Sequence, residues 1–230
     1  MVKILNVRYW FNIYLKYVFF RALQRELQLL SIPIVFDKLK GEIFHEMRGI
    51  YTQNKSRIKN KTDLFNMEWV ILVLAAYRVL QPVVSTPEMA TNIVGTSFAF
   101  PFRKISKIAL IVRYGIIPLR PRTAFSIISK KFKSKGERFF GQSFIYEQEN
   151  LNNDQSFINI RKCFFFDFFQ ANEAPQLTRL FCHVDRVFVD ELNKPKYELR
   201  FERPTAMGYG DDICRFQFTR KTIDRVGDEP

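Results

Sequence analysis

The chain's three cysteines lie in its last third, each beside groups that bind ligands or move protons: Cys163 in KCFFFDFF, Cys182 in FCHVD and Cys214 in GYGDDICRF. A thiolate is both a nucleophile and a metal ligand, but a free thiol is mostly protonated at neutral pH and needs a nearby base, cation or helix N-terminus to react. His183 is the base by residue type. On a helix, however, it points about 100° away from Cys182. Cys163 and Asp167, four residues apart, and Cys182 and Asp185, three apart, would each share a helix face, giving two thiol–carboxylate pairs. Gly208-Tyr-Gly-Asp-Asp precedes Cys214. Its glycines allow a tight turn, whose backbone donors would stabilise developing negative charge. Cys163, Cys182, His183, Asp185 and Cys214 are therefore the catalytic candidates. Asp167, Gly210, Asp211 and Asp212 are the substrate-binding candidates, together with Arg203 of FERPT, whose guanidinium suits a substrate carboxylate.

Two other readings stand beside this one. Three cysteines with His183 or an Asp also form a zinc ligand set, but there is no CxxC, and gaps of 19 and 32 residues fit no compact zinc module. No cofactor is expected, with zinc or iron as the alternative. Taken singly, a buried cysteine is more often a small hydrophobe than a catalyst.

The elements that must position these residues change character along the chain. Trp10, Phe11, Tyr14, Leu15, Val18, Phe19, Ala22 and Leu23 recur at spacings of three and four, which predicts an amphipathic helix over the first thirty residues. A second helix is expected over about Ile34–Ile50, followed by an exposed connection, Thr52–Thr62. A third, capped by Thr62 or Asp63, runs through MEWVILVLAAYRVLQ to Pro82. Pro118, Pro121 and the Ser/Lys/Gly run Ser129–Gly136 read as a break.

Beyond it, the runs beginning at Phe139, Phe157, Tyr197 and Cys214 read as four strands of one antiparallel sheet. Cys163–Ala171 and Pro175–Leu192 read as a helix pair covering the sheet's inner face. The expected fold class is α+β, with a mainly helical part over 1–137 and a sheet-bearing part over 138–230 that carries the site.

At 47% hydrophobic residues, the chain can build a proper core without disulfides. An odd cysteine count and the lack of a signal-type start point to the cytoplasm, where thiols stay reduced. The apolar runs Trp69–Leu80 and Ile105–Leu119 are too short or too charged to span a bilayer, which takes roughly 20 apolar residues.

The net charge is +13, and residues 103–138 hold 11 Lys+Arg against 1 Asp+Glu. Basic segments interleaved with apolar residues, Val2–Leu30 and Arg103–Lys135, suit peripheral contact with an anionic membrane surface, although a solvated helix face is the commoner outcome. No recognition-helix, zinc-finger or RNP-type pattern points to nucleic acid. The expected partner is a small-molecule substrate.

The order KCFFFDFF, LTRLFCHVD followed by DEL, and RFERPTAMGYGDDICRFQF resembles the L-2-amino-thiazoline-4-carboxylic acid hydrolase family over residues 139–220. Cys163 with Asp167, Cys182 with Asp185, and Gly210, Asp211 or Asp212, Cys214 and Phe216 occupy the family's motif positions. The resemblance implies a hydrolase acting on a carbon–nitrogen bond of a small cyclic, amidine-like substrate. The basic aromatic N-terminal part departs from the family's small soluble enzyme, which leaves room for another substrate in secondary metabolism. The ending G-x-x-x-C-x-F is also similar to vinyl-reductase-like small-molecule-binding domains, in which the role is non-catalytic.

Overall fold

The computed structural model describes residues 2–114 and 124–221. The fold is α+β, as expected, and the chain divides into two compact units: Met1–Lys104 with Phe164–Val184, and Ile105–Cys163 with Asp185–Pro230.

The first unit is helical. Its helices α1 (Val2–Leu29), α2 (Phe36–Asn54) and α3 (Lys61–Leu80) are followed by α4 (Pro87–Tyr114), whose first part belongs here. Later in the chain, α6 (Phe164–Ala171) and the start of α7 (Thr178–Leu192) return to this unit; α5 (Ala124–Phe140) lies in the other. Helix α3 is apolar on every side over Trp69–Tyr77 and accordingly forms the centre, with Met67, Val70, Val73, Leu74, Ala75, Ala76 and Leu80 at 0% exposure. This burial accounts for its long apolar run, and among the described residues no helix is long and apolar enough to cross a membrane.

The cap of α3 is Asn60 rather than Thr62 or Asp63. Its side chain accepts the N–H groups of Thr62 (2.8 Å) and Asp63 (3.0 Å), while the Asp63 carboxylate turns back to accept the Lys59 N–H at 3.0 Å. The Phe-rich α6 packs on α3 as core. Its C-terminus is clipped by reciprocal 3.1 Å amide bonds between Asn54 and Asn172.

The second unit is a four-stranded antiparallel sheet, β1 (Ile145–Asn152), β2 (Gln155–Lys162), β3 (Leu199–Thr205) and β4 (Cys214–Arg220), in the order β1-β2-β4-β3. Alternation sends Phe201, Cys214, Phe216 and Phe218 to the buried face. Phe201 stacks on Phe218 at 4.6 Å between ring centroids, and Phe132 of α5 packs on Phe216 and Phe218 at 5.6 and 5.3 Å.

Of the expected break, Pro118 and Pro121 lie outside the described residues, and the run Ser129–Gly136 is part of a helix. Its lysines flank Phe132, which with Phe125 and Ile128 at helical spacing supplies an apolar stripe for the sheet. Gly136 permits close approach, because a Cβ there would sit 2.9 Å from the Tyr146 ring. Within this unit α5 lies along the sheet, and in the first unit the apolar α6 packs on α3.

Asn193, just beyond α7, binds the backbone of Phe201 on the edge strand β3, donating to its carbonyl (2.9 Å) and accepting its N–H (2.7 Å). Beside it the buried Glu191 gathers Lys194, Lys196 and the Tyr197 hydroxyl. Burial alone would raise the Glu191 pKa, but the hydrogen bond and charge of Lys194, then Tyr197 and Lys196, outweigh it and hold the carboxyl below its ordinary range.

Phe218→Ala should cost about 3–5 kcal/mol in chemical denaturation, because the ring is fully buried in an aromatic stack; a loss under about 1 kcal/mol would contradict the stack's role. The depressed Glu191 pKa makes its contribution fully present above the unfolded-state value and lost as pH falls through the lower, folded one. Urea midpoints measured from about pH 7 down to about pH 3 should therefore fall less steeply for Glu191→Gln than for the parent chain.

Candidate functional site

Strand register decides where the sulfurs of the sheet unit lie. Ile160 of β2 pairs with Cys214, the first residue of β4, and the two strands are antiparallel. Cys163, three residues past Ile160, therefore leaves β2 at the end of the sheet where β4 begins. Strand β3 reaches the same end, where Thr205 pairs with Arg215 after a bulge between Glu202 and Thr205. The bulge contains Arg203 and Pro204, and a proline cannot donate to the ladder. One sheet end thus gathers Cys163, Thr205 and Cys214 with the loop 206–213, while Arg203 sits half-buried in the bulge.

That loop is tied to itself. A 3-10 turn, Met207–Tyr209, is closed by Tyr209 N–H to Ala206 O (2.8 Å) and Gly210 N–H to Met207 O (3.1 Å). Gly210 follows at φ +101°, where a side chain is strained. The Asp211 carboxylate accepts the Ala206 N–H at 2.8 Å, and the Cys214 Sγ accepts the Met207 N–H at 3.4 Å. The amides of Tyr209 and Gly210 are thus taken up by the turn, which removes them from the donors expected of Gly208–Asp212. Asp211 and Asp212 are exposed.

The remaining candidates are distributed between the units. Cys163 stands immediately before α6 rather than inside it, so Asp167 lies in the first turn of a helix that Cys163 precedes. Cys182 is carried by α7 in the helical unit, where its neighbour Phe181 packs on Phe98, Phe165 and Phe169 at 4.6, 4.4 and 5.4 Å. Gly95 admits Leu180, whose Cδ2 would be 2.7 Å from a Cβ on that glycine. These contacts fix the rotation of α7 and bury Cys182, while His183 is exposed, as the 100° step between neighbours requires. The Asp185 backbone is part of α7, and its side chain lies outside the described residues.

No disulfide joins the three cysteines, and each is less than one-tenth exposed. Two polar atoms were not singled out in the sequence, where a threonine carries no signal of its own. The Thr205 hydroxyl at the sheet end and the Thr178 hydroxyl, one turn before Cys182, are buried without a hydrogen-bond partner among the described residues. No group of three or more His, Cys, Asp or Glu arranged to hold a metal ion occurs among the described residues.

With this geometry in place, residues 118–218 match the family model for L-2-amino-thiazoline-4-carboxylic acid hydrolase. The family resemblance is borne out. The hydrolase match contains every candidate residue named above, and it takes in α5, which lies almost wholly before the stretch on which the resemblance rests. No curated protein matches the chain. Among solved structures, the NMR structure of the SO2144 H-NOX domain from Shewanella oneidensis in the Fe(II)CO ligation state aligns over 88% of this chain and 98% of its own, at 9% identity and a TM-score of 0.34. A likeness that low carries no functional argument.

Gly210→Ala should cost about 1–2 kcal/mol, and since no atom lies within 4 Å of the new methyl group, that cost is backbone strain alone. Gly49→Ala, which also meets open space but lies inside α2, should instead stabilise the chain by about 0.5–1 kcal/mol. Equal effects of the two changes in thermal unfolding would contradict the left-handed turn.

Proposed function

We propose that the chain is a cysteine-dependent enzyme of the L-2-amino-thiazoline-4-carboxylic acid hydrolase type, acting in the cytoplasm on a carbon–nitrogen bond of a small cyclic or amidine-like substrate of secondary metabolism. The family match supports the reaction class. The observation that carries the choice of residues is the pairing of Ile160 with Cys214, since it brings Cys163 to the end of the sheet held by the Cys214 loop.

Cys163 is the proposed nucleophile, with Cys182 as the alternative. It precedes the first turn of α6, and a helix N-terminus is an environment that supports thiolate chemistry. Its sulfur attacks the amidine carbon, forming a C–S bond while the C=N π pair moves onto nitrogen, which takes a proton. The leaving nitrogen takes a second proton as the C–N bond breaks, and the C=N bond re-forms on the sulfur-bound carbon. Water then adds to that carbon, gives up a proton and displaces the thiolate. Asp185 or His183 carries the protons in this scheme, by residue type. Cys214 is held by the Met207 amide, and Asp167, Arg203, Gly210, Asp211 and Asp212 are the proposed substrate-binding residues.

The burial of all three thiols speaks against a reactive cysteine and leaves a second reading, a non-catalytic domain that holds a small ligand or, failing that, a zinc or iron ion. Turnover of L-2-amino-thiazoline-4-carboxylate by purified protein separates the two. On the enzymatic reading, Cys163→Ser loses roughly a thousandfold in kcat while its unfolding midpoint stays near that of the parent. Full turnover in the Cys163→Ser, Cys182→Ser and Cys214→Ser variants alike would end it. A raised midpoint with added substrate but no turnover, or one equivalent of bound metal in purified protein, would favour the binding domain.

A further inference from the structure

One face of α1 is exposed and carries Trp10 (63% exposed), Ile13 (41%), Tyr14 (50%) and Tyr17 (58%). Their spacing places all four within an arc of about 100° of the helix, and the exposed Arg21, Gln24, Arg25 and Gln28 continue the same face towards the C-terminus. The opposite face is core, with Leu15, Phe19, Leu23 and Leu27 under one-tenth exposed.

The rotation of α1 is set by buried polar bonds. The Asn12 carbonyl accepts the Trp69 indole N–H at 2.7 Å, and its amide donates to Glu68, which Lys16 also reaches at 2.7 Å. The aromatic stripe is therefore held outward by contacts within the helical unit. An α1 turned to bury the stripe would leave Asn12 and the Trp69 indole without each other.

From this we infer that the α1 face seats on an anionic bilayer surface. Tryptophan and tyrosine, each with an apolar body and a polar tip, suit the headgroup level of a membrane. The charge is complementary: the exposed Arg21 and Arg25 continue the face of the stripe, whereas by helical spacing the one acid of α1, Glu26, falls away from it. Arg21 and Arg25 sit on the exposed side where anionic headgroups would meet them, and basic residues near such a surface are attracted to it. A helix of this type lies in the interface with its apolar residues inserted and does not span the bilayer.

Vesicle sedimentation of the full chain tests the inference. Vesicles of phosphatidylcholine with phosphatidylserine should pellet the protein at low salt, and phosphatidylcholine alone should not. High salt should release it, because screening weakens the arginine contribution. The triple variant Trp10→Ser/Tyr14→Ser/Tyr17→Ser and the double variant Arg21→Gln/Arg25→Gln alter exposed side chains, so both should keep the parent's circular dichroism and each should bind roughly tenfold or more weakly. Failure of the parent to pellet at either salt, or undiminished binding by the folded triple variant, would overturn the inference. So would a parent dimer in analytical ultracentrifugation that the triple variant dissociates, since the stripe would then be covered by a second copy of the chain.

Discussion

The antiparallel register of β2 on β4 is the constraint on which the account of the site depends. Ile158 faces Phe216 and Ile160 faces Cys214, so the pairing that brings Phe216 and Phe218 into the aromatic core also sets which end of the sheet receives Cys163. A one-residue slip would move Phe216, Phe218 and Cys214 together to the opposite face. The stack of Phe201 on Phe218, with Phe132 lying across it, makes such a slip costly. The interactions that stabilise the core thus hold the candidate chemistry in place as well.

Local hydrogen bonding then shapes what the register brings together. The loop between β3 and β4 closes on itself through Asp211 and Ala206, and it donates the Met207 amide to Cys214. A buried sulfur with a backbone donor is a fixed point rather than a mobile side chain. The Thr205 hydroxyl at the same sheet end, unpartnered among the described residues, is a polar atom a ligand would satisfy. In the helical unit, Phe181 serves Cys182 in a different way, anchoring α7 by ring contacts so that the thiol is buried while His183 faces out.

Much of this was legible in the sequence because it rests on periodicity. Cys214, Phe216 and Phe218 alternate, and they share the buried face of β4 as expected. The central helix α3 announced itself as an unbroken apolar run, although its cap was misjudged: Asn60, Thr62 and Asp63 are all capping types, and only the backbone angles choose among them. Helix α5 was missed because lysines and a glycine mask the stripe Phe125, Ile128, Phe132, whose apolar character counts only once a sheet lies beneath it. The engaged amides of Tyr209 and Gly210 were equally out of reach, since a glycine-rich string gives no sign of whether its N–H groups point outward or close a turn. The family resemblance came from motif order, which survives where such local geometry cannot be read.

The most direct measurement of the central claim is to mix the protein with L-2-amino-thiazoline-4-carboxylate, quench in acid within one turnover and locate any covalent adduct by peptide mass spectrometry. The account predicts an adduct on the peptide containing Cys163, displaced as product forms. Steady turnover with an adduct on Cys182 instead, or with none on any cysteine, would contradict it.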